Sequence, residues 1–269
     1  MTPTIAFVRS PGSTFNHAIS SHPEKHTIDV ELVCSQHEQY VSALRESGIE
    51  VIKFPPLENC PDATFVEDTT VVFDHVAVAC PNKEKSRQEE GTSIHAEIKK
   101  YRPLKTLPQS ITLDGGDVLN TEEKLFVGIS SRTNRQAVDA LAEFAKKPVV
   151  PVEVHSALHL KTAATYLGNN LLVLDSSSID TTALTGFKWI DTGEADRYAA
   201  NCISIDNTVL VARGFQKVAD KIRAEGFNTV ELDMSEFEKA DGALTCLSII
   251  FKKSAEALDS SSTGTGDKH

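Results

Sequence analysis

Five polar segments recur at nearly constant spacing along this chain, and each adjoins an apolar run typical of a β-strand. Successive intervals from Asp68 to Asp114, His159, Cys202 and Cys246 are 46, 45, 43 and 44 residues. A fixed period of this size is the signature of a repeated supersecondary unit. The chain is therefore predicted to contain five copies of one unit. The chemically active side chains of the copies would then meet on a common axis, as an active site.

The secondary-structure pattern supports the same repeat. Helical periodicity predicts four amphipathic helices, over residues 35–47, 86–101, 134–147 and 215–226. Runs rich in Val, Ile, Leu and Phe predict strands over residues 49–54, 70–73, 76–79, 124–128, 170–174, 201–205, 208–211 and 247–251. The unit is thus strand, strand, helix, strand, which predicts an α/β fold. We expect one domain over residues 1–253 and a disordered tail rich in Ser, Thr and Gly over residues 254–269.

Composition excludes several classes of protein. The net charge of −11 makes nucleic acid a poor partner and is compatible with a small cationic substrate. No apolar run approaches the length of a membrane span, and the N-terminus lacks a signal-peptide pattern, so a cytoplasmic location is expected. The five cysteines form no CxxC pair, which argues against both a disulfide framework and a structural zinc site.

Three residues could form a nucleophilic centre. A thiolate at Cys246 would be a strong nucleophile, although a free Cys is more often a buried core residue. His159 lies between leucines and has the phase of the repeat, which favours a catalytic role. Asp114 and Asp117 flank two glycines, which is typical of a turn but also suits an acid that orients His159. Buried core positions are predicted for Cys34, Cys80 and Cys202.

An acidic cluster surrounds Phe65 and comprises Asp62, Glu67 and Asp68. Acidic clusters are usually solvated, but this one precedes an apolar strand and is therefore predicted to lie at a pocket edge. If Glu67 and Asp68 lay on an extended strand, they would face opposite sides, and only one could pair directly with a ligand. A guanidinium substrate would satisfy buried carboxylates through bidentate hydrogen bonds.

Two arginines are candidates for holding a substrate carboxylate, namely Arg87 and Arg132, although either could be a surface residue. The pair Gly115-Gly116 lacks the lysine and the spacing of a phosphate-binding loop. His155 and His159 would form a metal pair only on a helix, and this segment is predicted to be extended. No metal and no organic cofactor are therefore expected.

Taken together, these segments resemble the dimethylarginine dimethylaminohydrolase family of the guanidino-modifying (pentein) superfamily. The resemblance extends over nearly the whole chain before the tail. It rests on five motifs in register, which are residues 65–69 (FVEDT), 113–118 (LDGGDV), 131–134 (SRTN), 158–161 (LHLK) and 244–248 (LTCLS). It implies a five-bladed β/α-propeller with pseudo-fivefold symmetry.

The resemblance also implies a role for each candidate residue. Cys246 would be the nucleophile, His159 the general acid and base, and Asp114 the acid that orients His159; family members carry Asp or Glu at this last position. The implied substrate-binding residues are Ile19, Asp62, Phe65, Glu67, Asp68, Arg87, Arg132 and the backbone at Ala240. Ile19 stands where a leucine is usual in the family.

The implied activity is hydrolysis of Nω-methylated arginines to citrulline and dimethylamine or methylamine, through a covalent thiouronium intermediate. Deimination of free arginine by the same residues is the alternative; arginine deiminases generally carry an inserted helical domain, for which this chain has no room. An amidinotransferase is less favoured because those chains are longer. Non-catalytic translation-factor relatives on the same fold lack the cysteine. The sequence requires no partner protein, and it leaves a homodimer open.

Overall fold

The computed structural model describes residues 3–253, which form five three-stranded sheets. The sheets have the strand orders β15-β1-β2, β3-β4-β5, β6-β7-β8, β9-β10-β11 and β12-β13-β14. In chain order the strands are β1 (Thr4–Arg9), β2 (Glu50–Phe54), β3 (Thr70–Val72), β4 (Ala77–Ala79), β5 (Leu104–Thr106), β6 (Val118–Asn120), β7 (Leu125–Ile129), β8 (Val149–Glu153), β9 (Ala164–Gly168), β10 (Leu171–Leu174), β11 (Lys188–Asp191), β12 (Ile203–Ile205), β13 (Thr208–Ala212), β14 (Asn228–Leu232) and β15 (Ser248–Lys252). This arrangement confirms the predicted α/β repeat of five units.

Every sheet is built in the same way. The inner strand pairs antiparallel with the middle strand, and the middle strand pairs parallel with the outer one. In the first sheet the inner strand is β15, the last of the chain, which pairs with β1 through contacts such as Phe7 with Ile249. The two ends of the described chain therefore lie in one sheet. This pairing closes the ring of five sheets.

Helices connect the middle strand to the outer strand in most repeats. Within residues 3–253 the α-helices are α1 (Val30–Glu46), α2 (Gly91–Ile98), α3 (Gln136–Ala142), α4 (Leu160–Ala163), α5 (Gln216–Ala224) and α6 (Ser235–Glu238). The predicted helices correspond to α1, α2, α3 and α5. In the fourth repeat, between β10 and β11, a 3-10 helix over Thr181–Leu184 takes the place of an α-helix.

The first helix starts earlier than predicted, since α1 begins at Val30 rather than at residue 35. The Asp29 carboxylate accepts hydrogen bonds from the backbone N–H groups of Glu31 and Leu32, at 2.9 and 3.2 Å. These bonds satisfy donors that the first turn of a helix leaves unpaired. The cap therefore sets the start of the helix, five residues before the apolar periodicity becomes visible.

A short helical turn precedes the inner strand of each sheet. We call these the five opening turns; they are residues 66–69, 115–117, 160–163, 194–200 with Asn201, and 245–247. All five polar segments of the sequence repeat fall on or beside them. The turns are packed close to the axis because the inner strands follow directly.

Side-chain and backbone hydrogen bonds link neighbouring opening turns in a closed belt. The links are Gly116 N to Asp68 Oδ1 (3.1 Å), Leu160 N to Asp117 Oδ1 (2.9 Å), Asn201 Nδ2 to Lys161 O (2.9 Å), Thr245 N to Asn201 Oδ1 (2.9 Å), and Thr245 Oγ1 to Glu67 Oε2 (2.9 Å). Each link joins two different repeats, so the belt holds all five turns in register around the axis.

A cavity of about 370 Å³ runs along the axis between the inner strands. Its lining includes Thr70, Val118, Tyr166 and Ser204, and the side chains of Glu67 and Lys161 border it at the end where the opening turns lie. The cavity therefore occupies the axis of the ring on one side of the opening turns.

Three further expectations concern the surface and the ends. Cys80 and Cys202 are buried as predicted, but Cys34 is exposed, because it lies on the outer face of α1 rather than on the face toward β2. The predicted disordered tail lies outside the described residues. In the described part of the chain, no helix is long and apolar enough to cross a membrane.

The ring closure rests on an aromatic cluster around Phe7, which is fully buried. Its ring meets Phe54, Tyr101 and Phe251 edge-on, at centroid distances of 5.4, 5.8 and 5.1 Å.

Because Phe251 belongs to β15, we expect Phe7→Ala to lower the free energy of unfolding by about 3 to 5 kcal/mol. Urea denaturation followed by circular dichroism measures the change. The exposed strand substitution Val230→Thr is the control, and it should cost about 0.5 kcal/mol or less. A loss below about 1 kcal/mol for Phe7→Ala would contradict a closure that depends on this cluster.

Candidate active site

A buried histidine and a buried aspartate meet where the second and third of the five polar segments converge. His159 Nε2 lies 3.1 Å from Asp114 Oδ2, and the two residues are 3% and 0% exposed. The structure thus brings together the pair that the sequence predicted. It also separates Asp114 from Asp117, because Asp117 accepts hydrogen bonds from the Ser130 hydroxyl and from Leu160 N instead.

Close packing around His159 explains why Gly116, the second residue between Asp114 and Asp117, is a glycine. A Cβ atom on Gly116 would lie 2.7 Å from His159 Nδ1 and 2.9 Å from Asp68 Oδ1. Only a glycine lets the backbone approach both side chains at this distance. The sequence signal for a turn at this position therefore also marks contact with the imidazole.

Asp68 is the centre of the charged cluster. Its Oδ2 atom accepts a hydrogen bond from Arg87 Nη1 at 2.9 Å, and its Oδ1 atom accepts one from Gly116 N at 3.1 Å. Atoms of Asp68, Asp114 and His159 lie within 4.8 Å of one another, a spacing that would also suit a metal ion. Arg87 pairs with Asp68 and His159 pairs with Asp114, while Asp114 Oδ1 is buried without a hydrogen-bond partner.

The carboxylates around His159 decide its protonation. Burial by itself would lower the pKa of His159, but the charge of Asp68 and the hydrogen bond that His159 donates to Asp114 raise it from 6.5 to about 9. Burial also raises the pKa of Asp114, whereas the nearby charges of His159 and Arg87 outweigh burial and lower the pKa of Asp68. At neutral pH the ligand-free site therefore holds an imidazolium that can donate a proton.

Cys246 lies on the last opening turn, which packs against the turn that carries Glu67 and Asp68. The residue is 9% exposed. Burial raises the pKa of its thiol well above the usual value, and the negative charges of Glu67 and Asp68 raise it further. Without a ligand the sulfur is therefore a neutral thiol at neutral pH. A cation bound beside it would have the opposite effect and favour the thiolate.

The Glu67 side chain points to the axial cavity, where its carboxylate is already paired within the protein. Lys161 Nζ donates to Glu67 Oε1 at 2.6 Å, and Thr245 Oγ1 donates to Glu67 Oε2 at 2.9 Å. The extended geometry considered for Glu67 and Asp68 does not apply, because Val66–Thr69 forms a 3-10 turn. Both carboxylates are buried, with Asp68 paired to Arg87 and Glu67 paired to Lys161.

Arg87 is almost fully engaged within the protein. Its guanidinium donates to Asp68 Oδ2, to the backbone oxygen of Phe65 at 3.3 Å, and to both carboxylate oxygens of Glu90. One hydrogen on Nη1 remains for a ligand. Burial raises the pKa of Glu90 to about 7, although Arg87 opposes this rise. Arg87 is thus held rigidly by two carboxylates.

Arg132 differs because its Nη1 atom is buried and has no hydrogen-bond partner. The nearest carboxylate oxygens belong to Glu84 and Asp114, at 3.8 and 3.9 Å from Nη1. These distances are too long for hydrogen bonds. Buried polar groups are normally satisfied, so a ligand carboxylate is a natural partner for this atom.

The remaining predicted binding residues are Ile19, Asp62, Phe65 and Ala240. Ile19 N donates to both oxygens of Asp62, at 3.1 and 3.3 Å. Phe65 and Ala240 belong to one buried apolar cluster, and Gly242 leaves room for the Phe65 ring, because a Cβ atom there would lie 2.3 Å from Cε1. Burial raises the pKa of Asp62, which makes an additional cation favourable beside it.

Sequence reasoning gave no role to four residues that hold this site: Glu90, Lys161, Asn201 and Thr245. Lys161, Asn201 and Thr245 belong to the repeated polar segments, so their phase in the repeat was a signal that they approach the axis. Glu90 had no comparable signal. Its partner Arg87 is three residues away, and this spacing occurs in many exposed helical pairs.

Comparisons with known proteins agree with this architecture. The family described as "N,N dimethylarginine dimethylhydrolase, eukaryotic" matches residues 5–251. The N(G),N(G)-dimethylarginine dimethylaminohydrolase of Streptomyces coelicolor is 32% identical, with 91% of this chain and 95% of that protein covered. The protein of the same name from Pseudomonas aeruginosa is 27% identical, with 88% of this chain and 100% of that protein covered.

Solved structures give the same fold. The P. aeruginosa protein, a cysteine-to-serine mutant in complex with citrulline, superposes with a TM-score of 0.87 at 26% identity, covering 93% of this chain and 100% of that chain. The N-terminal domain of ArgZ, a cyanobacterial arginine dihydrolase, has a TM-score of 0.85 at 20% identity, covering 93% and 99%. The second likeness supports the fold alone. Together these neighbours confirm the pentein propeller.

The raised pKa of His159 leads to a prediction about stability. The folded state favours the imidazolium, so its contribution is complete below pH 6.5 and is lost as pH rises through about 9. We expect this contribution to fall by about 3 kcal/mol over this range. The raised pKa values of the buried thiols Cys80, Cys202 and Cys246 add a further fall above about pH 8.5 in any variant that keeps them. Urea denaturation at a series of pH values measures the slope. In His159→Asn the slope between pH 7 and 9.5 should be flatter than in wild type by the contribution of His159. Equal slopes in both proteins would contradict the assignment. Glu90 has a pKa of about 7 and titrates mainly below this window.

Proposed function

This chain belongs to the dimethylarginine dimethylaminohydrolase family, whose members are hydrolases acting on C–N bonds, and we propose that it hydrolyses Nω-methylated arginines to citrulline and dimethylamine or methylamine. The observation that carries the proposal is the buried His159–Asp114 pair within a carboxylate cluster beside the turn of Cys246. A histidine proton donor, a thiol and carboxylates that can hold a guanidinium are what this reaction requires.

The guanidinium binds beside buried carboxylates whose negative charge is not fully balanced by cations of the protein. Asp62 and Asp68 are buried, and burial raises the pKa of Asp62. A planar cation that donates several hydrogen bonds would satisfy such carboxylates and fix its own plane. The same cation offsets the effect of Glu67 and Asp68 on Cys246, so the thiol loses its proton to solvent as the substrate binds. Substrate binding therefore creates the nucleophile.

In the first half-reaction the Cys246 thiolate attacks the central guanidinium carbon and forms a C–S bond. His159, protonated at neutral pH because its pKa is about 9, donates its proton to the departing nitrogen. The C–N bond breaks and dimethylamine or methylamine leaves. A positively charged thiouronium remains on the sulfur, and His159 is now neutral. Asp114 holds the imidazole in place through both states.

In the second half-reaction the neutral His159 removes a proton from water, and the resulting hydroxide adds to the thiouronium carbon. The tetrahedral adduct collapses, the C–S bond breaks, and the sulfur leaves as thiolate. The urea group of citrulline forms, and its excess proton passes to the released amine. The known complex of the P. aeruginosa relative with citrulline supports this product.

Citrulline release from asymmetric dimethylarginine, monomethylarginine and arginine tests the proposal. We expect turnover of the methylated substrates, and we expect Cys246→Ser to reduce it roughly a thousandfold or more, because an alcohol is a far weaker nucleophile here. The matched control is Cys34→Ser, which alters an exposed cysteine of α1 and should keep full activity.

The three substrates also distinguish the competing reaction. A kcat/KM for arginine above that for both methylated substrates would make the protein an arginine deiminase with the same residues. Citrulline from none of the three would contradict the proposed activity and leave the family membership intact.

The unpaired Nη1 atom of Arg132 gives a second test. If this guanidinium holds the α-carboxylate, Arg132→Gln should raise KM for dimethylarginine about tenfold or more, since a charged hydrogen bond contributes roughly 1.5 to 3 kcal/mol. Steady-state kinetics measures KM and kcat separately. Arg135→Gln is the control, because Arg135 is exposed and pairs with Glu153 at the surface. A substrate analogue without the α-carboxylate should show the same KM with wild type and Arg132→Gln. If Arg132→Gln raised the KM of this analogue as well, the residue would not act on the carboxylate.

A further inference from the structure

The fourth of the repeated polar segments, Ala200-Asn201-Cys202, has no part in the reaction described above. Asn201 is nevertheless 1% exposed and lies in the belt of opening turns. Its Nδ2 atom donates to Lys161 O at 2.9 Å and to Thr245 Oγ1 at 3.0 Å, and its Oδ1 atom accepts from Thr245 N at 2.9 Å. One side chain thus uses both amide hydrogens and its oxygen.

These partners belong to the turns that carry the reacting groups. Lys161 is two residues after His159, and Thr245 directly precedes Cys246. We call residues 159–163 the histidine turn and residues 245–247 the cysteine turn. Asn201 is therefore a direct side-chain bridge between these two turns. The orientation of the amide is fixed, because a backbone N–H can only donate and a backbone carbonyl can only accept.

We propose that Asn201 is a positioning residue that sets the location of Cys246 relative to His159. The proposal rests on the proposed function for its kinetic effects. An active site requires its reacting groups within about half an ångström of their productive positions. The side-chain hydrogen bonds of Asn201 reach the histidine turn and the cysteine turn directly, whereas Asp62, Asp68 and Arg132 belong to other segments. Its loss should therefore lower kcat more than it raises KM.

The chemistry of the bridge explains why an asparagine is required. An aspartate has the same shape, but it cannot donate to Lys161 O and would place a negative charge against that carbonyl. An alanine would leave Lys161 O and Thr245 N without their partner. Thr245 relays the contact further, because its hydroxyl accepts from Asn201 and donates to Glu67 Oε2.

The experiment compares Asn201→Ala and Asn201→Asp with the matched control Thr165→Val. Thr165 is also buried and also bonds the same segment, but its hydroxyl hydrogen-bonds to Ala200 O and Cys202 N rather than to the histidine turn or the cysteine turn. All variants are assayed well below their melting temperatures. We expect kcat to fall at least tenfold in both Asn201 variants with KM within threefold of wild type, and kcat to stay within twofold in Thr165→Val.

A double-mutant cycle tests whether Asn201 acts through Thr245. Thr245→Val removes the hydroxyl, and Asn201→Ala combined with Thr245→Val should lower kcat less than the product of the two single effects. Thr245→Ser keeps the hydroxyl and should keep kcat within about threefold. If the effects of the two single substitutions on kcat simply multiplied in the double variant, the proposal that Asn201 acts through Thr245 would be overturned.

Alkylation of Cys246 by iodoacetamide, mapped by peptide mass spectrometry, is a readout that needs no turnover. Releasing the cysteine turn should change its alkylation rate at least threefold in Asn201→Ala and leave it unchanged in Thr165→Val. If wild type released no citrulline but alkylation changed as expected, the proposed function would fail and the positioning of Cys246 would stand. Unchanged alkylation together with unchanged kcat in both Asn201 variants would overturn the inference.

Discussion

The belt of hydrogen bonds around the axis is the constraint on which this site depends. Each opening turn comes from a different repeat, so no local sequence interaction can place one turn against the next. The belt does so through side chains that are themselves buried, such as Asp68, Asp117 and Asn201. Because an unpaired buried polar group costs free energy, each link favours one arrangement of its two turns. The ring of sheets brings the turns near the axis, and the belt fixes their relative positions.

Charge is distributed so that the site requires a cation. Asp62, Glu67, Asp68 and Asp114 are buried, and two of the balancing cations, Arg87 and Lys161, are already paired. The remaining negative potential raises the pKa of His159, and burial together with this potential raises the pKa of Cys246. The resting site therefore holds a proton donor and an unreactive thiol. A guanidinium ligand would favour the thiolate of Cys246, and nucleophilic attack is thereby coupled to substrate binding.

Several residues show why prediction from sequence succeeded or failed here. The repeat could be predicted because its period is long and its polar segments are chemically distinctive, and the pairing of His159 with Asp114 followed from their common phase. The bounds of α1 were missed because the Asp29 cap depends on backbone geometry. The burial of Cys34 was predicted wrongly because Cys34 precedes the predicted start of the helix at residue 35, whereas it lies within α1 on its exposed face. The roles of Asn201 and Thr245 could not be predicted, because hydrogen bonds between repeats depend on distances that periodicity does not specify.

The sequence by itself determined the number of repeats, the α/β character of each unit, the phase of the reactive residues and the family resemblance. These properties are encoded locally, in apolar periodicity and in motifs of a few residues. The tertiary structure decided which carboxylate meets which cation. It turned Glu67 to the axial Lys161, paired Arg87 with Asp68 and Glu90, and left Arg132 Nη1 without a partner. The physical reason is that partners in an ion pair are selected by distance and burial, and both arise only when the five turns converge.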